Sequence, residues 1–264
     1  LSDMRNAKVI SDLKQYWQFC QDSAGFFPSS WLDYFFKDSR DLLDIKAKRK
    51  KGEQVLSASL DRMLTNIEYL PFFYVAIINK QVLSIDYKPY DEDQRTLILH
   101  PHYLKEFNGR WHLFGHVENQ EPEFGYNIAL DRICSKPREL YNVNYKQAPT
   151  DFYEDFFKDI IGVSHIRNRK GQPYSVQPIY IRAHTHYIFK LMETKTIHPS
   201  QRISILFGNH EDGEYGEFIV NVELNNEFIG RILQMGAGLE VVAPDDVRME
   251  VKRRVTQLAK LYGE

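Results

Sequence analysis

The spacing of apolar residues along this chain changes from helical to alternating near residue 81. Before that point apolar side chains recur at the spacing of one helix face, so residues 1–80 are predicted to be a helical region. Phe72 to Asn79 is predicted as its last helix. The region is either a supporting bundle or an arm for DNA binding or dimerisation. It shows no convincing recognition helix of the kind that reads base edges.

The segment after residue 81 alternates apolar and polar positions, which is the pattern of half-buried strands. The second predicted strand ends at Pro101, and Asn108-Gly109 is a strong hairpin signal. The third strand turns Trp111 to one side and His112 to the other. Short antiparallel strands at this spacing favour a small barrel or a strongly curved sheet over residues 81–145.

The C-terminal part returns to mixed periodicity. Residues 146–175 are predicted to be a connector, and residues 176–264 follow the order strand, helix, strand, strand, helix, strand, helix. The first six elements have a ferredoxin-like order. A polar hairpin loop is predicted over Asn209 to Gly216, and Asp245-Asp246 opens the last helix. The predicted fold class of the chain is therefore α+β.

Composition narrows the possible environments. The chain has 264 residues, a formal net charge of −2 and two cysteines, Cys20 and Cys134, without metal-binding spacing. No apolar run approaches the roughly 20 residues that span a bilayer, and no signal peptide is visible, so a cytoplasmic location without membrane contact is predicted. Basic runs at 46–51, 167–170 and 252–254 are interpreted as solvated faces.

Several short elements between residues 85 and 133 carry a family resemblance. They are Ile85-Asp86-Tyr87, Arg95, Pro101, Trp111-His112-Leu113 and Leu130-Asp131-Arg132-Ile133. This set resembles the WYL domain, a small SH3-like (Sm-like) barrel named for a Trp-Tyr-Leu triplet. The sequence departs from the family pattern at two polar positions: His112 replaces the tyrosine of the triplet, and Tyr126 stands where a second arginine is expected.

The C-terminal part carries a second resemblance. The phrase from Ile229 to Gly236, followed by a short strand, Ala243-Pro244 and a long helix, is similar to the WCX-type extension that follows WYL domains. The two resemblances imply a transcriptional regulator that senses an effector. They also imply a homodimer and DNA as a partner, because family members usually carry an N-terminal helix-turn-helix.

A set of polar side chains inside the strand region is the candidate ligand site. Its members are Tyr87, Arg95, His112 and Arg132, with His100 and Tyr126 beside them. The planar fork of arginine suits phosphate or carboxylate, and histidine or tyrosine can stack on or hydrogen-bond a base. The predicted effector is a nucleotide or a piece of nucleic acid. Alternatively, Arg132 pairs with Asp131 or a neighbouring carboxylate for structural reasons, and His112 faces solvent.

Metal and enzyme chemistry have little support in the sequence. His112 and His116 share a strand face but lie roughly 13 Å apart, too far for one ion. Phosphate-loop, nucleophile-elbow, zinc-protease and dinucleotide motifs are lacking, so no catalysis, cofactor or metal is predicted. Two functions compete with the ligand-sensing regulator: a nucleic-acid-binding accessory module without promoter specificity, and a nucleotide hydrolase.

Overall fold

The computed structural model describes residues 65–166 and 174–263. They divide into two compact units, with the boundary between Pro149 and Thr150. The helices predicted before residue 65, and the basic runs at 46–51 and 167–170, lie outside the described residues. The predicted domain boundaries at residues 80, 145 and 175 stay predictions. None of the described helices has the length and apolarity needed to cross a membrane.

The first unit is built on a 5-stranded antiparallel sheet with strand order β4-β3-β2-β1-β5. Its elements are a 3-10 turn at Ile67–Tyr69, α1 (Leu70–Ile78), β1 (Val82–Tyr87), β2 (Arg95–Phe107), β3 (Arg110–Val117), β4 (Tyr126–Ala129), a second 3-10 turn at Leu130–Arg132, and β5 (Arg138–Leu140). The short strand β5 was not predicted. Among the described residues β4 and β5 stand at the two ends of this strand order, and a further bridge joins Tyr87 to Ile133.

One face of this sheet carries the core of the first unit. Apolar side chains of β1, β2 and β3 pack against α1, where Leu70, Phe73 and Ala76 recur at helical spacing and are fully buried. Pro71 fits the first turn of α1 because its missing N–H would have no helical partner there. Burial of a side chain such as Phe73 contributes about 2–3 kcal/mol to the free energy of unfolding, so the packing of α1 on the sheet stabilises the first unit.

Strand β2 differs from its prediction because Pro101 does not end it. The strand continues to Phe107 through a register shift between Pro101 and Tyr103. A bulge of this kind bends the strand and tolerates proline, which has no N–H for the ladder. Opposite the bulge, a Cβ on Gly115 would lie 2.3 Å from the carbonyl oxygen of His100, so only glycine permits this close approach. The predicted hairpin is confirmed, with Asn108 and Gly109 at φ 51° and 77°.

The second unit has the ferredoxin-like arrangement that the sequence predicts. Its elements are α2 (Phe152–Lys158), β6 (Gln177–Ala183), α3 (His186–Thr194), β7 (Arg202–His210), β8 (Gly213–Val222), α4 (Asn226–Gln234), a 3-10 turn at Gly236–Gly238, β9 (Leu239–Ala243) and α5 (Asp245–Leu261). The antiparallel strand order is β7-β8-β6-β9. The α+β class is thereby confirmed.

The hairpin between β7 and β8 is longer than predicted. Its strands run to His210 and from Gly213, so residues that were predicted as a polar loop, including Asn209 and Glu214, pair across the ladder instead. Hydropathy did not show this pairing because polar side chains on an exposed strand resemble those of a loop.

The start of α4 is held by a buried side chain. Asn225 is fully buried, and its Oδ1 accepts a hydrogen bond from the N–H of Phe228 at 2.8 Å. Its Nδ2 donates to the carbonyl oxygens of Ile161 (2.7 Å) and Ser164 (3.0 Å). One side chain therefore caps the helix and ties the segment after α2 to it.

We expect Asn225→Ala to lower the free energy of unfolding by about 3 kcal/mol, because it removes a helix cap and leaves two buried carbonyls without donors. Urea unfolding measures this change. The matched control is Asn226→Ala at the exposed next position, which should cost less than about 1 kcal/mol. Equal losses in the two variants would contradict the role assigned to Asn225.

Candidate functional site

The end of β1 is joined to the segment that follows the second 3-10 turn. The N–H of Lys88 donates to the carbonyl of Arg132 at 3.0 Å, and the N–H of Cys134 donates to the carbonyl of Asp86 at 2.8 Å. These two bonds bracket Tyr87. They place the Arg132 side chain within hydrogen-bonding reach of the Tyr87 hydroxyl, although 45 positions separate the two residues.

The 3-10 turn itself is held by Asn66. Its Nδ2 donates to the carbonyl oxygens of Leu130 (2.8 Å) and Ile133 (2.7 Å), which lie on either side of Arg132. Asn66 adopts a left-handed conformation with φ 68°, which asparagine tolerates better than most residues. The sequence did not reveal this role, because the two partners are 64 and 67 positions away.

Arg95 lies directly opposite Tyr87 across the β1–β2 ladder. Its Nη2 donates to the Tyr126 hydroxyl at 3.0 Å, and its Nη1 lies 3.0 Å from the Glu92 carboxylate. The structure therefore brings together four of the six predicted site residues: Tyr87, Arg95, Tyr126 and Arg132. Tyr126 also packs against the apolar core, so the group sits at the border between core and solvent.

Arg132 is stacked on an aromatic ring that the sequence did not single out. Its guanidinium carbon lies 3.9 Å from the centre of the Tyr90 ring. The Tyr90 hydroxyl accepts a hydrogen bond from Arg110 and lies 3.4 Å from Asp131. Asp131 in turn binds Arg110, whose Nε donates to it at 3.1 Å. The alternative expectation that Asp131 pairs with Arg132 is therefore wrong.

The two arginines of the group share an unusual feature. The Nε atoms of Arg95 and Arg132 are buried and have no hydrogen-bond partner within the described residues. Buried donors are nearly always paired, so two unpaired donors in one group of side chains are unusual. The Nε of Arg182 in the second unit is also buried and unpaired in the part of the chain that the structure describes. An unpaired Nε therefore indicates a ligand site only where, as here, the four side chains also converge.

Tyr87 is held in its neutral form. Burial raises the pKa of its phenol above the ordinary value, and the positive charge of Arg132 only partly offsets this. At neutral pH the hydroxyl keeps its proton. It can therefore both donate and accept a hydrogen bond at the border of the core.

His112 and His100 lie apart from this group, on the opposite face of the sheet. His112 is buried and its Nδ1 donates to Asn127 at 2.8 Å, so the expectation that it faces solvent is wrong. His100 is 2% exposed, and its Nδ1 accepts the backbone N–H of Lys146 at 2.9 Å. Each of the two side chains uses its Nδ1 in a hydrogen bond within the unit.

A row of histidines fastens the segment before the unit boundary. The rings of His100 and His116 lie 5.1 Å apart across the ladder, and His102 Nε2 donates to the carbonyl of Lys146 at 2.7 Å. The Tyr145 hydroxyl donates to the carbonyl of Pro101 at 2.6 Å, and burial raises the pKa of this phenol to about 12. Within residues 65–166 and 174–263 no group of three potential metal ligands is found.

Two family models match the chain. The WYL domain model matches residues 68–134, and the WCX domain model matches residues 185–259. The chain belongs to the WYL domain-containing family. The first match contains all six predicted site residues, and the second covers the ferredoxin-like elements from the end of β6 to α5.

Two solved structures are similar to this WYL protein, each at 14% identity over 75% of the chain. One is proteasome accessory factor B/C of Arthrobacter aurescens, with a TM-score of 0.33, and the other is a CRISPR Cas-related protein, with a TM-score of 0.41. The match covers 28% of the first and 52% of the second, so both are longer proteins. No curated protein matches the sequence significantly.

The buried histidines should make the WYL domain less stable in acid. Burial lowers the pKa of His100, His102 and His112 below the ordinary value of 6.5. Below about pH 6.5 the unfolded chain gains protons that the folded form does not bind. The free energy of unfolding should therefore fall from about pH 6.5 down to the folded-state pKa values and then level off.

Urea unfolding between about pH 7.5 and pH 5 checks this slope. His100→Asn serves as the comparison, because an amide oxygen can accept the Lys146 N–H without taking up a proton. The variant should show a shallower pH dependence than the wild type. A wild-type stability that does not change over this range would contradict the expectation.

Asn66→Ala should lower the free energy of unfolding by about 1–3 kcal/mol, because two carbonyls beside Arg132 lose their donor. The matched control is Asn119→Ala. Asn119 is also left-handed, with φ 58°, but is exposed, so it reports the backbone effect alone. Urea unfolding of both variants isolates the carbonyl bonds. A loss no greater at Asn66 than at Asn119 would show that these bonds do not stabilise the turn.

Proposed function

We propose that this chain is the effector-sensing part of a transcriptional regulator, and that its WYL domain binds a nucleotide or a short nucleic-acid strand. The observation that carries the proposal is the convergence of Arg95 and Arg132, each with a buried unpaired Nε, beside Tyr87 and Tyr126. Guanidinium groups bind phosphate through paired hydrogen bonds, and their planar faces stack on bases. The group thus supplies both kinds of contact.

The group suits binding better than turnover. Burial raises the pKa of the Tyr87 phenol, so this tyrosine is not poised to exchange a proton near neutrality. We therefore propose a sensor without catalytic activity. The predicted participation of His100 and His112 in ligand binding stays a prediction.

Sensing requires that the effector bind one arrangement of the protein better than another, since equal affinity would shift nothing. Arg132 is the last residue of a 3-10 turn that Asn66 fastens to the residues before α1, so a ligand on Arg132 can alter that junction. DNA as a partner and a homodimeric state are expected from the family and belong to the proposal.

Binding can be tested by thermal shift and fluorescence anisotropy with mono-, di- and oligonucleotides. We expect saturable stabilisation of the wild type, and an affinity about tenfold or more lower in Arg95→Ala and Arg132→Ala. The matched control is Arg138→Ala, which removes an exposed arginine of β5 in the same unit and should leave affinity within about twofold.

Absence of any ligand effect on the wild type would refute the proposal. So would equal losses in the two site variants and in Arg138→Ala, because they would indicate unspecific charge attraction. Binding to single strands that falls steeply with salt and shows no promoter preference would instead favour the accessory module.

A further inference from the structure

The loop between β1 and β2, residues 88–94, already contacts both arginines of the proposed site. Its Glu92 carboxylate lies 3.0 Å from Arg95, and its Tyr90 ring lies 3.9 Å from the guanidinium of Arg132. One short loop therefore places an anion on one arginine and an aromatic ring on the other. The inference drawn from this contact pattern rests on the proposed function.

These two contacts have the chemistry expected of a nucleotide. A carboxylate meets a guanidinium through the same charged hydrogen bonds as a phosphate oxygen. A tyrosine ring over a guanidinium occupies the face on which a base would stack. Tyr90 and Glu92 thus correspond to the base and the phosphate of one ligand, and they sit where both would bind.

The loop side chains that contact the two arginines lie at the surface, while the loop begins at a backbone hydrogen bond from Lys88 to Arg132. Tyr90 is 66% exposed, and the side chains of Glu92 and Arg95 are 56% and 37% exposed. Exposed ion pairs of this kind are weak, so a ligand can displace them at small cost. Asp91, Glu92 and Asp93 also place three negative charges beside the site, which disfavour an anionic ligand while the loop stays in position.

Tyr90 has a second link that ties the loop to the strand ladder. Its hydroxyl contacts Arg110 at the start of β3 and Asp131 in the 3-10 turn. Displacement of the ring therefore also breaks the contacts of its hydroxyl with Arg110 and Asp131. These two residues remain paired with each other, because the Arg110 Nε donates to Asp131 at 3.1 Å. The ring lies on the same turn that carries Arg132, so occupancy of the site is coupled to the contacts of this turn.

We propose that the 88–94 loop is an internal competitor of the effector. Glu92 occupies the phosphate position on Arg95, and Tyr90 occupies the base position on Arg132. The effector is then a molecule with both a planar ring and a phosphate, and it binds by displacing both side chains. A ligand that has only one of the two groups displaces only one of them.

The affinity of such a site is reduced by the fraction of molecules in which the loop is closed. Tyr90→Ala and Glu92→Gln should each raise the affinity for a nucleoside monophosphate about two- to fivefold, and the double variant more. Asp93→Asn is the matched control, because it removes the same charge from the same loop while the Glu92–Arg95 ion pair remains.

The base position and the phosphate position can be tested separately with ligands that carry only the planar ring or only the phosphate. In NMR titrations with adenosine monophosphate, adenosine and ribose 5-phosphate, Glu92→Gln should strengthen binding of ribose 5-phosphate but not of adenosine. Tyr90→Ala should do the reverse. Tyr90→Phe keeps the ring but loses the hydroxyl contacts, so it should raise affinity less than Tyr90→Ala.

The outcomes distinguish this inference from the proposed function. Suppose the wild type binds and Arg95→Ala and Arg132→Ala lose affinity. If Tyr90→Ala and Glu92→Gln then bind as the wild type does, or more weakly, the competitor role is refuted and the proposed function stands. If Asp93→Asn raises the affinity as much as Glu92→Gln does, the proposal that Glu92 occupies the phosphate position is also refuted. If no variant binds any of these ligands, both proposals fail.

Discussion

The backbone hydrogen bonds between the end of β1 and residues 132–134 are the constraint on which the candidate site depends. They bring a residue from the first strand and one from the last turn of the WYL domain to within hydrogen-bonding reach. The side chain of Asn66 holds the other side of that turn. These hydrogen bonds hold the backbone around Arg132, and they thereby fix the direction in which its side chain leaves the main chain.

The two faces of the first sheet serve different purposes. The inner face packs on α1 and ends in the polar group around Tyr87 and Arg95, where buried apolar surface makes arginine hydrogen bonds stronger than in water. The outer face carries the buried histidines and fastens Tyr145 and Lys146. The pleat of β2 turns Arg95 to one face and His100 to the other, so one strand contributes to both regions.

Charge at the border of the core explains why the loop before β2 lies where it does. The two guanidinium groups attract an anion or an aromatic ring, and the loop offers both within three residues, with Glu92 on Nη1 of Arg95 and the Tyr90 ring on Arg132. Glu92 thereby satisfies part of the hydrogen-bonding capacity of Arg95.

Periodicity and local signals by themselves determined the class of each region. The alternation after residue 81, the Asn108-Gly109 hairpin and the ferredoxin-like order are local or near-local properties, and the structure confirms them. Two errors have physical reasons. Proline is tolerated at a bulge, so Pro101 did not end β2, and polar residues on exposed strands resemble a loop, so the β7–β8 hairpin was predicted too short.

Only the tertiary structure decided which polar side chains meet. The sequence named Tyr87, Arg95, Tyr126 and Arg132, but also His100 and His112, which the pleat turns to the opposite face. It did not indicate Tyr90, Arg110 or Asn66, whose partners are 20 to 67 positions away. Strand register and turn geometry bring these residues together, and both depend on hydrogen bonds between segments that are far apart in the chain.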